Sequence, residues 1–95
     1  MNHLSFKVNE EMISLTEKRN GQDCEFLIHT KTNEALDRLR KLRAFFEDDK
    51  VYTDILFYSR QDHEYQVIVR RDVYVPFVVH LFQLQLLLSV AWQGH

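Results

Sequence analysis

The sequence predicts an α+β fold, a two-layer sandwich in which a four-stranded antiparallel sheet carries two helices on one face. Two segments show the alternating pattern of β-hairpins, and each is followed by a stretch with the spacing or length of a helix. The resulting order is strand, strand, helix, strand, strand, helix (ββαββα). We expect strands at about 11–18, 23–30, 51–58 and 65–71, and helices at about 33–47 and 73–86.

Length and composition indicate one ordinary globular domain. The chain has 95 residues, of which 45% are hydrophobic and 27% charged, with two Gly and one Pro, so disordered and collagen-like classes are excluded. Twelve Lys and Arg stand against fourteen Asp and Glu, and this balance provides no basic field for nucleic acid or an anionic membrane. We expect a single domain over 1–95, with an N-terminal arm at 1–10 and a folded core at 11–95.

The first hairpin is predicted from the dipeptide Asn20-Gly21. Asn-Gly readily supplies the two positive-φ residues of a type I′ turn, the commonest two-residue connection between antiparallel strands. A turn at these two positions pairs Leu15 with Phe26 and gives the hairpin one apolar and one polar face.

The helix at 33–47 has a start signal and an apolar stripe. Thr32 or Asn33 can act as the N-cap. The apolar positions recur at helical spacing, which predicts the side that faces the sheet. They are Ala35, Leu36, Leu39, Leu42 and Phe46.

The register of the second hairpin is predicted from its alternation together with one opposite-charge pair. Only an odd-length loop, such as 61–63, puts the apolar positions of both strands on one face. This register sets Phe57 opposite Val67 and, on the reverse face, Asp54 opposite Arg70 as an opposite-charge pair.

The last segment is nearly apolar on all sides over 73–86, with Pro76 in a first turn where proline is tolerated. Residues 87–93 fit either a continued helix or a short edge strand. As a strand, they would give the chain the split-βαβ order of ferredoxin-like domains. That strand and 11–18 then compete for one sheet edge, and the Asn-Gly turn favours 11–18.

Targeting and redox signals point to the cytoplasm. Cys24 is the single cysteine, so no intramolecular disulfide forms, and the N-terminus lacks a secretory signal pattern. Residues 73–94 carry no formal charge and are long enough to cross a bilayer, but Pro76, His80 and Gln83 within them favour a buried helix of a soluble domain.

Catalytic, metal and cofactor sites are not expected. The five histidines form no i,i+4 pair on a predicted helix, and no glycine-rich phosphate loop occurs. Cys24 falls on the predicted core face, where a thiol is usually inert. We therefore expect no catalytic residue, no metal ligand, no cofactor and no nucleic-acid partner.

The function that the sequence favours is protein–protein contact by a non-catalytic protein, which self-associates as a homodimer or binds another protein. Its open sheet face carries more apolar groups than a wetted face needs, and the last helix is apolar all round. The predicted contact residues are Leu27, Tyr52, Leu56, Tyr58, Ile68 and Leu84. The alternative is a small-molecule binder or enzyme that uses the polar groups of the open face, namely His29, Asp54, Tyr58 and Arg70.

Overall fold

The computed structural model of the chain describes residues 4–48 and 54–93. In these ranges the protein is an α+β domain with antiparallel sheets and two helices, as predicted. The strands are β1 (Leu4–Val8), β2 (Ile13–Asn20), β3 (Asp23–Thr30), β4 (Ile55–Ser59), β5 (Glu64–Arg70) and β6 (Leu87–Trp92). The helices are α1 (Asn33–Asp48) and α2 (Tyr74–Gln83), the latter preceded by a 3-10 turn at Arg71–Val73.

The strands form two sheets instead of the single predicted one. The larger sheet has four strands in the order β2-β3-β5-β4, which is the order expected for its four segments. The smaller sheet consists of β1 and β6. The ferredoxin-like version is therefore wrong, because the last strand does not join the larger sheet.

The N-terminal segment predicted as an arm contains the strand that pairs with β6. Leu4 lies opposite Trp92, and Phe6 lies opposite Val90. Leu4 is buried, and Phe6 packs against the core. The pairing occurs because α2 ends early: Gln85 adopts φ +63°, which reverses the chain and sends 87–92 back beside β1.

The first hairpin forms with a register two residues away from the predicted one. Its loop is Gly21-Gln22, so Asn20 pairs with Asp23 and Leu15 pairs with Ile28. Of the two loop residues, Gly21 alone has positive φ, at +64°, which is the pattern of a type II′ turn with Gly at its first central position. The predicted type I′ turn at Asn20-Gly21 is wrong, although an even shift leaves every side chain on its expected face.

The second hairpin forms in the predicted register. Phe57 pairs with Val67, and the three-residue loop 61–63 closes with a hydrogen bond from the Arg60 N–H to the Glu64 carbonyl at 2.8 Å. At the other end of β4, the Arg70 N–H donates to the Asp54 carbonyl at 3.2 Å. The pairing continues one step beyond β4 at both of its ends.

Both helices cover one face of the larger sheet. The hydroxyl of Thr32 caps α1 by accepting a hydrogen bond from the Ala35 N–H at 3.0 Å. In α2, Phe77 is fully buried and its ring centroid lies 4.9 Å from that of Phe26 on β3. Such an aromatic pair contributes about 0.5–1.5 kcal/mol beyond the burial of its apolar area. Neither helix of the described ranges has the length and apolarity required to cross a membrane.

Candidate functional site

The four strands of the larger sheet leave one face uncovered by helices, which we call the open sheet face. Inward-pointing residues such as Phe26, Val67 and Val69 are fully buried, whereas the alternate residues of the same strands are exposed or half-buried. The open sheet face is therefore the outward-pointing set of β2 to β5. None of its described residues is buried.

Strand pairing arranges the open sheet face in four rows that run across the strands. The Arg70 row is Asn20, Asp23, Arg70 and Asp54; the Leu56 row is Lys18, Glu25, Ile68 and Leu56. The Tyr58 row is Thr16, Leu27, Gln66 and Tyr58; the Glu64 row is Ser14, His29, Glu64 and Arg60. Successive rows are two residues apart along each strand, or about 7 Å.

The two central rows hold the apolar part of the face. Leu56 pairs directly with Ile68, and Leu27 pairs with Gln66, which in turn pairs with Tyr58. Leu56 is 49% and Tyr58 47% exposed. Four of the six predicted contact residues therefore form one contiguous patch, in which two large side chains remain half in water.

The two outer rows hold most of the charge. Asp23, Arg70 and Asp54 follow one another across the Arg70 row, while His29, Glu64 and Arg60 follow one another across the Glu64 row. Arg60 and Glu64 form an ion pair at 3.6 Å. The ion pairs of the described residues do not include Asp54 with Arg70, so these side chains are not tied to each other.

The remaining predicted contact residues lie elsewhere. Tyr52 falls outside the described residues. Leu84 follows α2, is half-buried and packs against the core. Its carbonyl accepts a hydrogen bond from the Arg38 guanidinium at 3.0 Å. Leu84 thus belongs to the junction between α2 and β6, and not to the open sheet face.

The four residues of the predicted ligand site do not converge. Asp54 and Arg70 are neighbours in the Arg70 row, but His29 lies in the Glu64 row, six residues or about 20 Å along the strands. Tyr58 lies between these two rows. A depression of about 280 Å³ opens beside Asp54 and Arg70, and neither His29 nor Tyr58 lines it.

Two ionisable groups on the buried side of the larger sheet, Cys24 on β3 and Tyr74 on α2, are held in their neutral forms. The thiol of Cys24 donates a hydrogen bond to the Glu17 carboxylate at 2.9 Å. Burial, followed by this hydrogen bond and the negative charge of Glu17, raises the pKa of Cys24 to about 12. Burial, followed by the charge of Glu17, raises the pKa of the nearby Tyr74 to about 12 as well. A thiol that stays protonated is a poor nucleophile.

The described residues contain no group of three or more His, Cys, Asp or Glu side chains placed to hold a metal ion.

Sequence reasoning missed Arg60 and Glu64 as members of the open sheet face. The signal was present, because the register that pairs Phe57 with Val67 also pairs residue 60 with residue 64. Residues 60 and 64 flank the polar loop 61–63, so their charged side chains are also typical of loop residues.

Comparison of the chain with protein-family models, with curated proteins and with solved structures finds no match.

Proposed function

We propose that this chain is a non-catalytic cytoplasmic protein that acts through protein–protein contact and self-associates through its open sheet face. The observation that supports this proposal is the apolar centre of the face, where Leu56 and Tyr58 are about half exposed beside Ile68 and Leu27. Large exposed apolar groups that adjoin one another, with polar residues around them, are typical of contact surfaces.

The apolar outer side of the last helix, which the sequence also suggests as a contact surface, is covered within the chain. In α2, Tyr74, Phe77, Val78 and Leu81 are buried. The helix contacts β6, and β1 and β6 carry apolar residues that pack against the core. An all-apolar helix needs covering on more than one side, and the two sheets together supply this. No helix or strand of the described ranges covers the open sheet face in this way.

The size of the face sets the expected strength of association. Its described part presents sixteen residues per copy in four rows of four, fewer than the roughly 20–30 per side of a standard interface. We therefore expect a reversible dimer, with a dissociation constant in the range of about 1–100 μM.

The test is the mass of the protein in solution, measured by sedimentation over about 1–300 μM for the native chain and two variants. Leu56→Glu places a carboxylate twice in a twofold interface and is expected to raise the dissociation constant at least ~100-fold. Leu88→Glu is the matched control, because Leu88 is 53% exposed on β6 and lies off the open sheet face. It is expected to leave the dissociation constant within about threefold.

Two results would contradict the proposal. One is a native chain that stays monomeric over the whole concentration range. The other is a dimer that Leu88→Glu dissociates and Leu56→Glu does not, which would move the contact to the small sheet. Leu84→Glu is a poor probe of association, because Leu84 packs against the core and its loss would lower folding stability first.

A further inference from the structure

The two outer rows of the open sheet face are complementary in charge. Read across β3, β5 and β4, the Arg70 row carries an acid, a base and an acid (Asp23, Arg70, Asp54). Read in the same direction, the Glu64 row carries an imidazole, an acid and a base (His29, Glu64, Arg60). Each charged residue of the Arg70 row therefore has a complementary group in the Glu64 row on the same strand or at its end. Asp23 matches His29, Arg70 matches Glu64, and Asp54 matches Arg60.

This inference rests on the proposed self-association: we infer that two copies pack open face to open face about a twofold axis that runs across the strands, so that the Arg70 row of each copy lies on the Glu64 row of the other. Rotation about this axis keeps each strand over its own counterpart and exchanges the two ends of the face. Each contact then occurs twice, as in any isologous interface.

The contacts across this axis follow from the rows. Arg70 meets Glu64 of the second copy, and Asp54 meets Arg60 of the second copy. Asp23 meets His29 of the second copy. In the centre, Leu56 meets Tyr58 of the second copy, so the two most exposed apolar groups of the face cover each other.

The other face-to-face axis, which runs along the strands, gives a poorer match. It places each row on itself and each outer strand on the opposite outer strand. Lys18 then faces Leu56 of the second copy, and Glu25 faces Ile68. Asp23 faces Arg70 of the second copy and His29 faces Glu64, but Asp54 and Arg60 face Asn20 and Ser14 and have no charged counterpart. Two charges are desolvated against apolar groups, which opposes association. About the axis across the strands, Glu25 is the one charged residue of the four rows that faces an apolar group, Leu27 of the second copy. Glu25 already accepts a hydrogen bond from Gln66.

Charge reversal at Arg70 and Glu64 tests the orientation. Arg70→Glu is expected to raise the dissociation constant at least ~10-fold, because it sets a carboxylate against Glu64 of the second copy. The double variant Arg70→Glu/Glu64→Arg is expected to dimerise at least as tightly as the native chain, since one outer row becomes wholly acidic and the other basic. About the axis along the strands, the acidic row would face itself, and the double variant would not dimerise.

A mixing experiment supplies a second measurement that does not need the double variant. Arg70→Glu and Glu64→Arg each weaken their own homodimers, but a heterodimer of the two has both of its contacts restored. Energy transfer between differently labelled chains should therefore appear in the mixture at concentrations where each variant alone is monomeric. The signal should fall as sodium chloride rises from about 0.05 to 0.5 M, because exposed charges are screened.

The outcomes separate this inference from the proposed function. A native dimer that Leu56→Glu dissociates, together with a double variant and a mixture that both fail to associate, overturns the orientation and leaves the self-association standing. A native chain that is monomeric up to about 300 μM overturns both. Unfolding midpoints of each variant in urea confirm that loss of the dimer is not loss of the fold.

Discussion

Gly21→Val isolates the free-energy cost of the backbone conformation in the β2–β3 turn. Gly21 has φ +64°, and a Cβ atom added there has no neighbour within 4 Å. The substitution therefore adds no clash, and its cost comes from the backbone. An L-residue at positive φ costs about 1–2 kcal/mol, and a β-branched residue lies toward the upper end. The stiffer unfolded chain offsets about 0.4–1 kcal/mol of this. We expect the free energy of unfolding to fall by about 1 kcal/mol or slightly more.

Urea unfolding followed by circular dichroism measures this change, with an unchanged slope as the sign of an unchanged fold. Gln22→Val is the matched control. Gln22 is exposed in the same turn and is not among the positive-φ residues of the described ranges, so its substitution should change stability by less than about 0.5 kcal/mol. A Gly21→Val variant no less stable than Gln22→Val would refute the reasoning that positive φ at Gly21 stabilises this register.

Two further predictions follow from the shifted pKa values. Burial lowers the pKa of His80 from 6.5, so the unfolded chain binds this proton more readily and stability falls as the pH drops below about 6.5. The urea midpoints at pH 7 and pH 5 should therefore differ more for the native chain than for His80→Asn. Equal differences in the two proteins would contradict this prediction. Because burial and Glu17 raise the pKa of Cys24 to about 12, an aromatic disulfide reagent at pH 8 should label the folded chain at least ~100-fold more slowly than the urea-unfolded chain. Comparable labelling rates would show a thiolate that the structure does not support.

The larger sheet was predictable because its strands alternate and its turns carry local signals. The β4–β5 register followed from two conditions together: an odd loop was needed to place Phe57 and Val67 on the buried side, and the loop 61–63 also set Asp54 opposite Arg70. The β2–β3 register did not follow. A shift of two residues leaves each side chain on the same face, so alternation supports both registers, and the turn decides between them. In the structure, the turn has Gly21 at its first loop position, where the positive φ is required.

The small sheet could not be predicted from local pattern. Residues 4–8 alternate apolar and polar positions, but their partner strand lies at the far end of the chain, where Leu4 pairs with Trp92. No turn joins the two strands, so no local signal relates them. The early end of α2 at Gln83 was equally hidden, because Leu84, Leu86 and Leu87 continue the apolar pattern of the helix.

The candidate site depended on which registers were known. The patch of Leu56, Tyr58 and Ile68 followed from the β4–β5 hairpin, which was predicted correctly. The complementary outer rows also need the pairing of β3 with β5, in which Asp23 meets Arg70 and His29 meets Glu64. That pairing joins strands separated by a helix and a hairpin, and no pattern within either strand specifies its register.

The small sheet also changes the reason for expecting self-association. From the sequence, the strongest motive is the all-apolar last helix, which one sheet face cannot cover. In the structure, α2 lies against the larger sheet, and β1 and β6 supply Phe6, Val8 and Val90 to the same core. The apolar sides of α2 are therefore covered within the chain. The strand that does this, β6, pairs with β1 and does not extend the larger sheet. Within the described ranges, the side of that sheet opposite the helices remains exposed to solvent, with Leu56 49% and Tyr58 47% exposed. Because β1 and β6 pack on the helix side, they leave the open sheet face exposed, and we propose that this face contacts a second molecule.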